Sequence, residues 1–267
     1  MTVQQALSGS GLDAREARLL LAEASGFSQA SVLAFPERQL LAETEKSFKE
    51  FVSRRAKGEP IAYIIGRKEF YGVELAVNPA VLIPRPETEL LVELALQRDF
   101  SSVADLGTGS GAIALALKQQ RRSSRVVAIE ASAAALEVAK RNALRLGLEV
   151  EFRHGRWFGP LAGERFDLIV ANPPYVAAGD PHLAALGFEP RQALVAGPDG
   201  LDAIREIAQS APAHLTPGGR LLLEHGQGQD KAVRALLEAA GLEEIATWPD
   251  LAGIARVTGG RNSAGKG

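Results

Sequence analysis

From about residue 99 onward, short apolar runs of strand character alternate with longer stretches of helical character. The candidate strands lie at 102–106, 125–130, 150–154, 166–171, 219–225, 243–248 and 254–259. Helical stretches at 111–119, 133–146, 200–213 and 230–240 fall between most of them. Alternation of this kind predicts an α/β domain: a mainly parallel sheet with helices on both faces. Gly147 and Gly241 stand where two of the helices should stop. The link 249–253 is too short for a crossover helix, so the last two strands should pair antiparallel.

The chain before this region reads differently. Residues 1–68 carry helix signals and little strand signal. Asp13 with Glu16 is a capping-box pattern ahead of Leu19, Leu20 and Leu21, and Gly26 fits a helix stop. A second helix follows Pro36, with Leu40, Leu41, Phe48, Phe51 and Val52 leaning to one face, and ends at Lys57-Gly58. A small helical domain over 1–68 is expected. Residues 69–84 place Gly72 between strand-prone residues, which suggests a β-hairpin linker. Pro86, Glu87 and Glu89 then suit the first turn of a helix. The main domain is expected over 85–261, with a small, polar, frayed tail over 262–267.

Composition removes several classes of function. A length of 267 residues allows about two domains. The absence of cysteine excludes a disulfide framework, thiolate metal sites and a cysteine nucleophile. His154, His182, His214 and His225 are widely spaced, which disfavours a histidine-built metal site. A net charge of −2 gives no overall pull toward nucleic acid or anionic membrane. No apolar run approaches the roughly 18 residues of a membrane span. The N-terminus lacks the basic and apolar regions of a signal peptide, so a cytoplasmic protein is expected.

Three motifs carry chemistry. Asp105-Leu106-Gly107-Thr108-Gly109-Ser110-Gly111 sits where a strand should end and a helix begin. Its alternate glycines allow a tight turn and close approach to a ligand, and the helix start offers free N–H groups. The spacing is GxGxG and the loop holds no basic residue, so a pyrophosphate is poorly suited; a cationic ligand is better matched, by Asp105. Glu130 ends the next strand, about 20 residues on, where such folds place a carboxylate on ribose hydroxyls. Asn172-Pro173-Pro174-Tyr175 follows the strand at 166–171. Its prolines stiffen the backbone. The Asn172 side-chain carbonyl and a backbone carbonyl can then accept from one planar –NH2 group, with the Tyr175 ring as a flat face beside it.

Together these motifs resemble class I S-adenosylmethionine-dependent methyltransferases acting on planar amino groups. The context narrows the likeness. Residues 82–89, the segment from Asn172 through Asp180-Pro181-His182-Leu183 and Phe188-Glu189-Pro190, and 217–226 resemble the HemK/PrmC family of release-factor glutamine N5-methyltransferases. The resemblance runs from about 55 to 260. It implies a Rossmann-like domain with a seven-stranded, mainly parallel sheet and an antiparallel last strand, preceded by a helical substrate-recognition domain. It implies S-adenosylmethionine as methyl donor, S-adenosylhomocysteine as product, and class 1 peptide chain release factors as partners. No membrane association and no stable nucleic-acid binding are expected, and the chain is read as a monomer.

Carried over by residue, the resemblance puts donor contacts at Gly107, Thr108, Gly109, Ser110, Gly111, Glu130, Trp157 and Asn172. It puts the glutamine amide, and catalysis, at Asn172, Pro173, Pro174 and Tyr175. Three positions depart from the commoner pattern. Glu130 stands where Asp is frequent. Arg156 stands where an Asp is usual, and a guanidinium cannot accept from the adenine amino group. Ile254 stands where a polar residue is common. Arg85 and Glu87 are read either as the mouth of the site or as helix-start chemistry, Asp180 with His182 as a loop cap, and Trp248 as packing. The competing readings are a nicotinamide-dependent oxidoreductase, a ribosome-associated binding module and a nucleic-acid amino methyltransferase. The missing GxGxxG, the intact donor motif and the lack of a strongly basic N-terminal part count against these respectively.

Overall fold

The computed structural model describes residues 1–263, and the chain divides after Arg67. The first unit holds α1 (Val3–Ser8), α2 (Ala14–Ser25), α3 (Gln29–Ala34), α4 (Ala42–Ala56) and α5 (Ile61–Ile65). Asp13 caps α2 by accepting from the backbone N–H of Arg15 and Glu16 at 2.8 and 3.4 Å. Glu16 does not return the hydrogen bond of a capping box. Its carboxylate pairs with Arg55 of α4 at 2.8 Å, tying the two long helices together. Gly26 ends α2 in the left-handed region that favours glycine. Leu20, Leu21, Val32, Phe48 and Ile64 form the buried core of this unit.

The division falls one residue into β1 (Arg67–Phe70), which pairs with β2 (Val73–Ala76) as a two-stranded sheet. The turn falls on Tyr71 and Gly72, both at positive φ (50° and 73°), the conformation that matches strand twist in a two-residue hairpin. Phe70, Val73 and Leu75 are buried in the same apolar layer as Leu91 and Leu115. The hairpin is thus part of the second unit's core, whereas a linker was expected over 69–84.

Next come α6 (Glu89–Leu96), β3 (Ser102–Leu106), α7 (Ala112–Gln120), β4 (Arg125–Glu130), α8 (Ala133–Leu146), β5 (Glu151–His154) and β6 (Phe166–Ala171). The chain continues through α9 (Asp202–His214), β7 (Leu215–Glu224), α10 (Asp230–Ala239), β8 (Leu242–Pro249) and β9 (Ala255–Asn262). The sheet runs β5-β4-β3-β6-β7-β9-β8. Pairings from β5 to β7 are parallel, and β9 runs antiparallel to both neighbours. Successive strand residues feed opposite layers. Leu168 and Val170 face one apolar layer, while Phe166, Ile169 and Ala171 face the other. That alternation buries both faces of the sheet.

Two boundaries differ from the sequence reading. β7 begins at Leu215, because the strand pairs once with Phe166, bulges, and resumes at Arg220 opposite Leu168. The Thr216-Pro217-Gly218-Gly219 stretch hides that early start. β9 runs through Asn262, whose side-chain amide donates to the carbonyls of Pro212, Leu215 and Thr216. Asn262 therefore closes the sheet and does not open a tail; residues 264–267 lie outside the described residues. Strand order reverses between β3 and β6, and ligands of such sheets bind outside the carboxyl ends of strands at that point.

Candidate active site

The loop after β3 is shaped by its backbone. Gly107, Gly109 and Gly111 all take positive φ, at 77°, 58° and 88°. The N–H groups of Gly107 and Thr108 donate to the Ile129 carbonyl at the end of β4, 2.8 and 3.0 Å away. Asp105 lies beneath the loop, fully buried. Its Oδ2 accepts from the Thr108 hydroxyl at 2.6 Å and from the Ala114 N–H at 3.2 Å. Burial raises its carboxyl to about 7. Asp105 thus braces the loop and does not line the neighbouring cavity, so its expected role toward a cationic ligand is corrected. Thr108 and Ser110 are buried, and Gly111 packs on Leu115. These three were expected as donor contacts; the structure turns the Thr108 and Ser110 side chains inward, and none of the three is among the residues lining the neighbouring cavity. Asn142 of α8 completes the brace, donating to Ser110 O while exchanging both hydrogen bonds with Ala76 of β2.

Beside the loop is a cavity of about 420 Å³, within the range of small-molecule sites. Gly107, Gly109, Glu130, Trp157, Asn172 and Pro174 line it. Glu130 ends β4 with its carboxylate fixed by the N–H of Gly109 at 2.9 Å and of Ser132 at 2.8 Å. An ionised carboxylate has about four acceptor sites, so capacity remains for hydroxyl donors. Trp157 sits at φ 45°, a strained value for a bulky residue. Its ring covers Gly107 so closely that a Cβ there would lie 3.2 Å from it. Its indole N–H is buried without a hydrogen-bond partner. Arg156 lies 5.5 Å over the Trp157 ring and pairs with Glu206 of α9 at 2.5 Å. Its guanidinium is engaged by a carboxylate and a ring face.

The far wall comes from the segment after β6. Val176 bridges Val195 in parallel, donating to the Leu194 carbonyl at 2.8 Å and accepting from the Ala196 N–H at 3.0 Å, which folds 176–197 back on itself. Glu189, 7% exposed, anchors this fold by accepting from the Ile83 N–H at 3.1 Å and from the Arg85 guanidinium. Arg85 is therefore a wall support and not helix-start chemistry. Asp180 caps the short turn at Pro181, as expected of a loop cap, and His182 beside it is exposed. Trp248 packs against the apolar layer. Ile254 belongs to the turn between β8 and β9, where its N–H donates to Asp250.

Asn172 is held by a single side-chain contact. Its Nδ2 donates to Thr88 Oγ1 at 3.0 Å. Pro173 is buried and Pro174 faces the cavity. Tyr175 departs from expectation: its ring packs in the apolar layer, and its hydroxyl donates to Glu224 Oε1 at 3.3 Å. Gln229, the residue just before α10, fixes this arrangement by donating to the Tyr175 carbonyl at 3.1 Å. Burial, and then the Glu224 charge, raise the Tyr175 phenol well above its ordinary value.

Residues 2–66 match the family described as PrmC N-terminal domain, and residues 86–187 match the one described as Methyltransferase small domain. A release factor glutamine methyltransferase of Xylella fastidiosa is 53% identical over 253 residues, 92% of each chain. One of Neisseria gonorrhoeae is 46% identical over 98% of each. The chain belongs to the release factor glutamine methyltransferases. Among solved structures, a methyltransferase from Pyrococcus furiosus shares the fold, with a TM-score of 0.57 at 18% identity over 79% of this chain and 97% of its own. The T. Thermophilus 16S rRNA N2 G1207 methyltransferase, solved with AdoMet and guanosine, has a TM-score of 0.56 at 25% identity, covering 73% of this chain and 49% of that one.

In this family member the sequence motifs converge, and three residues that hold them in place lie in segments that carry the family resemblance but were assigned no role there. Thr88, Glu189 and Glu224 are all buried polar residues at this end of the sheet. Beyond its place in the 217–226 segment, Glu224 had a readable local signal: an acidic residue closing the apolar run Leu221-Leu222-Leu223. Burial raises its carboxyl to about 7.

Proposed function

We propose that the chain transfers a methyl group from S-adenosylmethionine to the side-chain amide nitrogen (N5) of the glutamine in the Gly-Gly-Gln motif of class 1 peptide chain release factors. The observation that carries this reading is Asn172. With Nδ2 committed to Thr88, its Oδ1 is left as an acceptor beside the cavity that reaches to Glu130. An amide nitrogen is a poor nucleophile because its lone pair is delocalised into the carbonyl. An acceptor that draws its protons aligns the lone pair and stabilises positive charge developing on nitrogen. Pro173 and Pro174 keep the acceptor rigid.

The donor fits the cavity's chemistry. Glu130 has acceptor capacity for ribose hydroxyls, and Trp157 and Gly107 form a close-set cradle. S-adenosylmethionine supplies an electrophilic methyl on a sulfonium. Gly107, Gly109, Glu130 and Trp157 would hold it, with Thr108, Ser110 and Gly111 keeping the loop in shape. No helix among the described residues is long and apolar enough to cross a membrane. The setting proposed is the cytoplasm, where release factors act, and the enzyme is proposed to work as a monomer without stable nucleic-acid binding.

The test is transfer of labelled methyl to purified release factor, rRNA and DNA in parallel. Label on the release factor, lost when its glutamine is replaced by glutamate, is the expected result. Label on rRNA or DNA alone would overturn the substrate assignment while leaving the donor site standing.

A further inference from the structure

Thr88 occupies the N-cap position of α6, yet its side chain makes no cap hydrogen bond. A threonine there ordinarily accepts from the first free N–H groups of the helix. Here Oγ1 accepts from Asn172 Nδ2, and Thr88 lies close enough to the Glu224 carboxyl to favour its charged form. Glu224 is 1% exposed at the end of β7, and its Oε2 is buried with no hydrogen-bond partner. A carboxyl at that depth is costly to bury, and β7 needs no acid to complete its ladder. Both oddities converge on the pair that orients Asn172.

Hydrogen-bond polarity explains the arrangement. A hydroxyl has one proton, an ionised carboxylate only accepts, and a side-chain amide offers a donor at one end and an acceptor at the other. We infer that Glu224 is a positioning residue that sets the polarity of the Thr88–Asn172 pair, given that Asn172 is the substrate acceptor proposed above. Its carboxylate takes the Thr88 proton, Thr88 is left only to accept, and Asn172 must turn Nδ2 to Thr88 and keep Oδ1 for the substrate. A protonated Glu224, or a glutamine, can itself donate to Thr88. Thr88 is then free to donate to Asn172 Oδ1. The Asn172 amide turns over and sets its own –NH2 against the substrate –NH2, two donors facing each other.

The charged and titratable groups facing Glu224 are Tyr175 after β6, Arg256 of β9 and Glu87 from the turn before α6, with His225 adjacent in the chain. Burial dominates over these and brings the carboxyl to about 7. The carboxylate form, and with it the productive polarity, fills as pH rises through neutrality.

The test uses the full chain with S-adenosylmethionine and purified release factor, following kcat and KM across neutral pH. Binding of S-adenosylhomocysteine and thermal melting serve as controls. Glu224→Gln is expected to lower kcat about tenfold, the scale of one charge-assisted hydrogen bond, with release-factor KM and product affinity little changed. It should also flatten the acid limb that the parent shows near pH 7. Thr88→Ala should lose kcat similarly, and Thr88→Ser should recover most of that loss. A folded Glu224→Gln with parental kcat and an intact acid limb overturns the inference. If Glu224→Gln does not fold, equal kcat for Thr88→Ala and Thr88→Ser overturns it instead. Asn172→Ala separates the two levels. If it keeps parental kcat, the acceptor reading itself fails. If it loses kcat while Glu224→Gln does not, only the polarity lock fails.

Discussion

The loop after β3 and the segment after β6 stand at the same edge of the sheet, but they are held by different means. The first is fixed by main chain: three glycines at positive φ, two N–H groups on the Ile129 carbonyl, and a Glu130 carboxylate receiving the Gly109 N–H. The second is fixed by side chains: Asn172 on Thr88, Tyr175 on Glu224, and Gln229 on the Tyr175 carbonyl. A main-chain cradle tolerates any side chain that leaves its dihedrals alone. A side-chain chain can be inverted by exchanging one oxygen for a nitrogen. The donor half should therefore fail gradually under substitution, and the substrate half abruptly.

Asn172→Ala tests the abrupt half. It removes a preorganised polar group aimed at developing charge, and groups of that kind are worth about 10²–10³-fold in kcat. Methyl transfer should fall on that scale while calorimetry with S-adenosylhomocysteine shows near-parental affinity. An equal loss in both measurements would mean that the two halves are not separable.

Glu130→Ala is the largest lesion expected on the donor side. Hydrogen bonds to a charged group contribute about 1.5–3 kcal/mol each. The substitution also frees the Gly109 and Ser132 N–H groups that the carboxylate now satisfies. Product affinity should drop by about 10–100-fold with the melting temperature only slightly lower. Unchanged affinity in a folded variant would remove Glu130 from the donor site.

The two halves also differed in how much the sequence disclosed. β3, β4 and β6 run over the expected residues because parallel, doubly covered strands read as continuous apolar runs. The glycine loop, Glu130 and Asn172 were legible for the same reason: each ends such a run. What stayed hidden was polar and distant in sequence. Thr88 meets Asn172 across 84 residues, and the Glu189 that accepts from Arg85 lies 104 residues away. No local periodicity reports a pair of that kind. In the first unit, α2 and α4 showed amphipathic faces, whereas α1, α3 and α5 span only 6, 6 and 5 residues. So short a helix does not complete the two turns that reveal a face. The packing of Tyr175 was not legible because its motif fixes the backbone but not which way the ring turns. Glu224, far along the chain, decides that.

A finer division of the donor half comes from its glycines. An alanine at Gly107 or Gly109 must adopt a positive φ, at about 1–2 kcal/mol for an L residue. Only at Gly107 would the new methyl meet another group, the Trp157 ring at 3.2 Å; at Gly109 nothing lies within 4 Å. Both variants should melt earlier by similar amounts. Only Gly107→Ala should shift the fluorescence of Trp157 and weaken S-adenosylhomocysteine further. Identical behaviour would show that the ring is not part of the cradle.

The smallest effect is expected at Arg156, which lies on the donor side yet is held by a side-chain contact, and so asks which feature sets a residue's sensitivity. Its partner Glu206 is half exposed, and the Arg156 side chain is 62% exposed. Exposed ion pairs contribute about 0–1 kcal/mol, and an exposed guanidinium stacked on a ring adds a similar amount. Arg156→Asp loses both and places a carboxylate opposite Glu206, so melting should fall slightly and recover at high salt as the repulsion is screened. Donor affinity should stay within about threefold of the parent or tighten, since an acceptor now stands where an adenine amino group could use one. Pairing Arg156→Glu with Glu206→Arg restores the ion pair in reverse and should restore melting without changing affinity. A loss of product affinity of about tenfold in Arg156→Asp would show that the guanidinium stacked on Trp157 helps hold the ring over Gly107. Exposure would then cease to explain why Arg156, although held by side-chain contacts, tolerates substitution.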